Sequence, residues 1–191
     1  MGSLKFIWQY ITKPRTTGAI LPSSRYLARK MVAEIDFVRA RCVVEYGPGT
    51  GVFTEKILAA RREETVVLLL ERNAEFCEML REKFAGVPNL HVIEDSAENI
   101  GEHLQAHGFE RACFVISGLP FASLPAEVSA NILTSTRTLL AEDGAFITFQ
   151  YTLLKKKIFA NYFAEIKIKR ELRNVPPAYV LTCRVLAVAT P

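Results

Sequence analysis

The sequence predicts an α/β protein: a seven-stranded, mostly parallel sheet whose last strand is antiparallel, with helices on both faces. Two observations carry this. Short apolar runs alternate with helical segments along most of the 191-residue chain, the pattern of a parallel sheet covered on both sides. The chain then closes on two strand-like runs, 164–173 and 179–189, separated by Asn174-Val-Pro-Pro-Ala, and two runs joined by such a turn read as an antiparallel pair.

The elements follow in order. Residues 23–37 read as a helix leading into a first strand at Cys42–Tyr46, where Val43 and Val44 are strand-forming. A glycine-rich turn opens a helix over 52–61. Val66–Glu71 is a second strand, 74–84 a helix, Leu90–Glu94 a third strand, 97–106 a helix and Ala112–Ser117 a fourth strand. Each strand is a short apolar run bounded by polar or turn-forming residues. A helix over 125–140 is expected to end at Asp143-Gly144, which is helix-stop and turn chemistry. A strand over 145–151 and a short helix over 153–162 complete the order. No repeat, linker or low-complexity tract interrupts it.

Composition agrees with one compact domain, because 50% hydrophobic content over this length buries a substantial core. No stretch approaches the ~18 consecutive apolar residues of a membrane span, and the N-terminus has no signal-peptide apolar region, so the cytoplasm is the expected compartment. Cys42, Cys77, Cys113 and Cys183 lie far apart without a C-x-x-C pair and read as reduced core thiols, with no metal site. The net charge of +4 is unevenly placed: six basic and no acidic residues up to Ala33, then 18 basic and 20 acidic. That polarity points the N-terminal end at an anionic partner.

Val43 to Gly51 reads V-V-E-Y-G-P-G-T-G, so Glu45, Gly47, Gly49 and Gly51 form E-x-G-x-G-x-G. Glycine lets a ligand lie against the backbone and tolerates positive φ. A nicotinamide fingerprint has G-x-G-x-x-G spacing and seats a pyrophosphate; Glu45 would repel a pyrophosphate but attract a cationic α-amino group. The second strand ends in Glu71, a carboxylate suited to a ribose diol, and the third in Asp95-Ser96, suited to an adenine edge. Together these acids fit S-adenosylmethionine. The fourth strand ends in Ser117-Gly118-Leu119-Pro120-Phe121, with ligands expected outside such strand ends.

With those motifs the chain resembles the Rossmann-like class I methyltransferases. Thr16 to Ser24 (T-T-G-A-I-L-P-S-S), E-Y-G-P-G-T-G, S-G-L-P-F and Arg173 to Ala178 (R-N-V-P-P-A) narrow the resemblance to the bacterial phospholipid N-methyltransferases. That family is related to the ribosomal RNA adenine dimethyltransferases. The resemblance implies stepwise methylation of phosphatidylethanolamine toward phosphatidylcholine, with S-adenosylmethionine as cofactor. It implies that Gly18 to Ser24, with Ile20 and Ser24 as contacts, fold over the methionine end of the cofactor. Glu45, Gly47, Gly49, Gly51, Glu71, Arg72, Asp95, Ser96 and Ser117 would hold the rest, and Ser117, Gly118, Leu119, Pro120 and Phe121 would form the catalytic turn. Adenine amino-group methyltransferases carry an Asn or Asp where this chain has Ser117. The RNA branch also adds a helical C-terminal domain, whereas this chain closes on its last sheet strand. An RNA adenine N6-methyltransferase is therefore the alternative, and nucleic acid is not the expected partner.

Residues 1–21 form a separate expectation, an amphipathic membrane-binding helix and cofactor lid ahead of the methyltransferase domain at 22–191. Leu4, Ile7, Trp8 and Ile11 share one helical stripe with Lys5 and Lys13 elsewhere on the wheel, as in an interfacial anchor on anionic lipid. The expected location is peripheral, on the inner face of the cytoplasmic membrane. The amine arrives as an ammonium ion and must lose a proton. No histidine reads as its base, since His91 begins a strand and His103 and His107 sit away from the strand-four turn. Phe121, Tyr151 and Tyr26 are the candidates to stabilise the methylated cation, and Lys155-Lys156-Lys157 is a candidate phosphate contact.

Overall fold

The computed structural model describes residues 24–153 and 156–185. The expected N-terminal anchor and the lid up to residue 23, with Ile20, lie outside the described residues, as does Lys155. Strand β1 (Cys42–Tyr46) occupies the centre of the sheet, buried along its whole length. It is flanked by β2 (Val66–Glu71) and β4 (Ala112–Ser117), both parallel to it. Adding β3 (Leu90–Glu94), β5 (Leu140–Gln150), β6 (Glu165–Glu171) and β7 (Ala178–Arg184) gives the order β3-β2-β1-β4-β5-β7-β6. Strand β7 runs antiparallel to both neighbours, as expected for the last strand.

Alternate strand residues separate into two cores, as the two-residue period of a strand requires. Val43, Val67, Leu69, Phe114 and Ile116 pack with helices α1 (Ser24–Val32) and α2 (Val52–Ala60) on one face. Val44, Tyr46, Leu68, Leu70 and Phe146 pack on the other with α4 (Ile100–Ala106), α5 (Ala126–Leu139) and α6 (Lys156–Ala160). Helix α3 (Ala74–Lys83) is capped by Asn73, whose side chain accepts from the Glu75 and Phe76 amides. Both α1 and α6 are shorter than their sequence periodicity predicts, and the chain leaves α1 through turns around residues 33–39. No helix among the described residues is long and apolar enough to cross a membrane. All four cysteines are free, and burial pushes the thiols of Cys42 and Cys183 up to about 12.

The expected stop at Asp143-Gly144 is corrected. Helix α5 ends at Leu139, and Leu140 enters β5 directly in extended conformation. Leu140 is buried and pairs with Ala112, while the next ladder pair is Phe114 with Ala145. Two steps on β4 thus correspond to five on β5, and Gly144 lies inside that irregularity. A β-carbon there would stand 2.3 Å from the Cys113 carbonyl oxygen. Close backbone approach, not turn formation, is what requires glycine. Gly144→Ala is expected to destabilise the fold by about 1–3 kcal/mol, read as a lower midpoint in chemical denaturation; an unchanged midpoint would show that the two strands part without cost.

Candidate functional site

After Tyr46 the chain turns through Gly47-Pro48-Gly49-Thr50-Gly51 into α2. All three glycines have positive φ, +62°, +55° and +81°, in the region that L side chains resist. Their surroundings differ. A β-carbon on Gly47 would stand 2.8 Å from Leu119 Cδ2, and one on Gly118 would stand 2.8 Å from the Gly47 carbonyl oxygen. The turns after β1 and β4 therefore meet backbone to backbone. The Gly47 amide donates to the Leu70 carbonyl at 2.9 Å and the Gly118 amide to the Tyr46 carbonyl at 2.9 Å, which joins the ends of three strands. Around Gly49 the space is open. Gly51 faces Phe84 and Leu80, 2.9 and 3.1 Å from where its β-carbon would lie, so it seats α2 against α3 and does not line the cleft.

The three strand-end acids stand in three environments. Glu45, on the α1/α2 side of the sheet, is fully buried; its Oε2 accepts from Thr54 Oγ1 at 2.7 Å and its Oε1 has no partner among the described residues. Burial pushes its pKa up from 4.5 to about 8, with the Thr54 bond opposing and the Glu71 charge adding to the rise. A buried oxygen of this kind suits a cationic donor. Glu71 accepts from the Gly49 amide at 3.1 Å through Oε2 and from the Asn73 amide at 3.0 Å through Oε1, so it fastens the glycine turn to the start of α3. Asp95 accepts from the Ser96 amide at 2.6 Å, from Asn99 Nδ2 at 2.9 Å and from His103 Nε2 at 2.7 Å. Those bonds, His103 first, hold its carboxyl below the usual range.

A cleft at this end of the sheet brings together Gly47, Glu71, Arg72, Asp95, Ser96 and Leu119. Its apolar wall is Leu124 and the α5 residues Val128 and Ile132. Sequence reading missed these residues, although Val128 and Ile132 show the four-residue spacing of one helix face. It also missed Thr54, His103 and Asn99, which hold the acids from nine, eight and four residues away; no motif at those spacings marks them. A wider groove of about 440 Å³ lies by the edge of β3 between Arg81, Phe84, His91 and His107. It gathers none of the motif residues.

In the turn after β4, Ser117 is buried and its Oγ accepts from the Leu119 amide at 3.2 Å. The Pro120 carbonyl accepts from Ser123 at 2.7 Å. Phe121 corrects its expectation: it is only 2% exposed and packs T-shaped on Phe146 and Phe159, with ring centroids 5.9 and 5.4 Å away. Its ring is core and not a wall of the cleft. Tyr26 is half-buried, with the Arg173 guanidinium 4.5 Å over its ring and Arg25 at 5.2 Å, so protein cations already use it. Tyr151 is half-buried and sits edge-on to Phe149 at 5.5 Å, which sits edge-on to Phe53 at 6.0 Å. Phe53 in turn is 3.6 Å from where a Gly118 β-carbon would lie. The aromatic row beside the turn is thus Phe53, Phe149 and Tyr151. Nothing is described of the Ser24 side chain.

Residues 13–140 match the family model for ribosomal RNA adenine dimethylases. The chain belongs to that family. An ornithine lipid N-methyltransferase from Singulisphaera acidiphila is 34% identical over 181 residues, covering 94% of this chain and 94% of that one. A ribosomal RNA small subunit methyltransferase A from Acidobacterium capsulatum is 36% identical over 98 residues, 51% of this chain and 33% of that protein. The structure of an S-adenosylmethionine-dependent methyltransferase from Aquifex aeolicus superposes with a TM-score of 0.62 at 14% identity, over 92% of this chain and 96% of that one. This family member is an S-adenosylmethionine-dependent methyltransferase with the Rossmann-like fold expected of it.

Glu45 also sets a pH dependence. Its folded pKa, about 8, lies above its ordinary 4.5, so the folded state holds the extra proton and stability falls as pH rises through that window. Glu171 acts oppositely: its pKa is lowered from 4.5 to about 2, and its contribution is lost as pH falls. In the cofactor-free protein, Glu45→Gln is expected to flatten the loss of melting temperature between about pH 5 and 8; an unchanged slope would clear Glu45 of the effect. Glu71→Ala is expected to weaken S-adenosylmethionine binding about tenfold or more by calorimetry, since charged hydrogen bonds contribute about 1.5–3 kcal/mol. Unchanged affinity would remove Glu71 from the site.

Proposed function

We propose that this enzyme methylates the amine of a membrane-lipid headgroup at the bilayer surface, taking phosphatidylethanolamine with its mono- and dimethyl forms, or an ornithine lipid. The observation that carries the reading is the likeness to a lipid N-methyltransferase along 94% of both chains. The likeness to the ribosomal RNA enzyme spans about half of this chain and a third of that one. The turn after β4 supports the same choice. Its first residue is a buried serine whose oxygen is engaged by the Leu119 amide, where adenine chemistry calls for a carboxamide or carboxylate.

When bound, S-adenosylmethionine supplies a methyl group on a sulfonium, open to in-line displacement by an amine lone pair. Glu45 offers its unpartnered oxygen to the cofactor's ammonium group, Glu71 its carboxylate to the ribose, and Asp95 with Ser96 their polar edge to the adenine. Leu124, Val128 and Ile132 give the base an apolar wall. On the substrate side the enzyme's contribution is proximity and orientation. The row of Phe53, Phe149 and Tyr151 faces a cationic headgroup with ring electrons, worth roughly 0.5–2 kcal/mol per ring. Burial raises the pKa of Tyr151, with its hydrogen bond to Asn174 opposing the rise. Water or a backbone carbonyl near the Ser117-Gly118 turn takes the ammonium proton before attack. The N-terminal segment, with Leu4, Ile7, Trp8 and Ile11, anchors the enzyme peripherally on the cytoplasmic face of the membrane.

The test is to supply methyl-labelled S-adenosylmethionine with vesicles containing phosphatidylethanolamine, vesicles containing ornithine lipid, or ribosomal RNA. Label is expected in lipid and not in RNA. Label in RNA alone would overturn the lipid assignment.

A further inference from the structure

The lipid reading leaves one motif unused, the Arg173 to Ala178 turn between the last two strands. Glu171 of β6 pairs with Ala178 of β7, and Tyr179 pairs with Gln150 at the end of β5. Because Thr148 of β5 pairs with Ser117, the loop of residues 172–177 lies at the same end of the sheet as the turn after β4. The loop presents its apolar side chains outward. Leu172 is 64% and Val175 67% exposed, beside exposed Pro176 and Pro177. Leu153, 38% exposed, follows β5 at the same end.

Two polar groups at the base of the loop, Glu171 and Asn174, are by contrast buried and satisfied, while Arg173 stays exposed. Glu171, 2% exposed, accepts from the Arg173 amide at 2.9 Å and Arg173 Nε at 3.1 Å, and pairs with Lys30 of α1 at 3.1 Å. Asn174 is buried and donates to the Pro176 carbonyl at 2.7 Å. Polar groups turned inward with leucine and valine turned outward reverse the order that water favours, and such a patch marks an interaction surface. The charge around it selects the partner. Arg173 and Arg25 share the Tyr26 ring, Lys156 and Lys157 follow Leu153, all four are exposed, and neither 151–157 nor 172–177 contains an acidic residue. Apolar tips ringed by cations match an anionic bilayer surface, with acyl chains beneath phosphates.

We propose that residues 172–177, with Leu153, are an interfacial contact that seats this end of the sheet on an anionic bilayer and turns the cleft toward the headgroups. The proposal deepens the lipid function and rests on it. Its test uses the full chain and equimolar phosphatidylglycerol and phosphatidylcholine vesicles, which hold no amine to methylate. An environment-sensitive fluorophore on Val175→Cys is expected to shift to the blue when vesicles are added, while the same probe on Glu64→Cys, at the other end of the sheet, stays unchanged. Leu172→Asp with Val175→Asp is expected to lower vesicle partitioning about tenfold or more, leaving melting temperature and S-adenosylmethionine affinity as they were.

An unshifted probe at 175, or equal partitioning by the double variant, would overturn the proposal. So would a probe that responds to deletion of residues 1–13 and not to vesicles, because the chain's own N-terminus would then cover the loop. None of these readouts involves methyl transfer. Vesicle seating without lipid methylation would therefore count against the functional reading alone, and lipid methylation without seating against the loop alone.

Discussion

A carboxyl group without water around it, Glu45, conditions the rest of the site. It sits on the central strand, on the face covered by α1 and α2, and among the described residues the Thr54 hydroxyl is its hydrogen-bond partner. Burial disfavours its charge, and the Thr54 hydrogen bond only partly opposes that. The charge of the nearby Glu71 adds to the rise. A buried carboxyl of this kind would repel an anionic pyrophosphate and attract an ammonium group. Electrostatics at one buried side chain would separate nicotinamide from S-adenosylmethionine where glycine spacing alone does not.

Around that group the fold works by backbone proximity. The turns after β1 and β4 touch through Gly47 and Gly118, and their amides donate to the ends of neighbouring strands. Glu71 then ties the Gly49 amide to the start of α3. A side chain at Gly118 would press on the Gly47 carbonyl and part the two turns, whereas one at Gly47 would displace the Leu119 side chain. The same strand ends carry the aromatic row and the loop of residues 172–177.

Much of this was legible in the sequence because parallel strands buried on both faces announce themselves as continuous apolar runs; the first four strands match their expected bounds. Boundaries went astray where tertiary contact overrode local chemistry. Asp143-Gly144 has the composition of a turn, yet Leu140 gains more by burying itself beside Ala112, and Gly144 is needed by the Cys113 carbonyl. Phe121 sits in a turn motif that suggests a stacking ring, but Phe146 and Phe159 draw it into the core. Gly51 belongs to the glycine motif in sequence and to helix packing in space. Asp95 was legible as a strand-end acid, whereas its hold by His103 and Asn99 depends on the path of the chain after β3. Roles assigned to residues 1–23 belong to sequence alone.

A cofactor ammonium beside Glu45 would draw that carboxyl into its ionised form. The most direct measurement is calorimetry of S-adenosylmethionine binding at neutral pH in buffers of different ionisation enthalpy, which counts protons exchanged on binding. With Glu45 near pKa 8 in the free protein, binding is expected to release up to about one proton, and Glu45→Gln is expected to abolish that release. Buffer-independent heats for the unaltered protein would contradict the account, because Glu45 would then keep its proton and the ammonium would be held elsewhere.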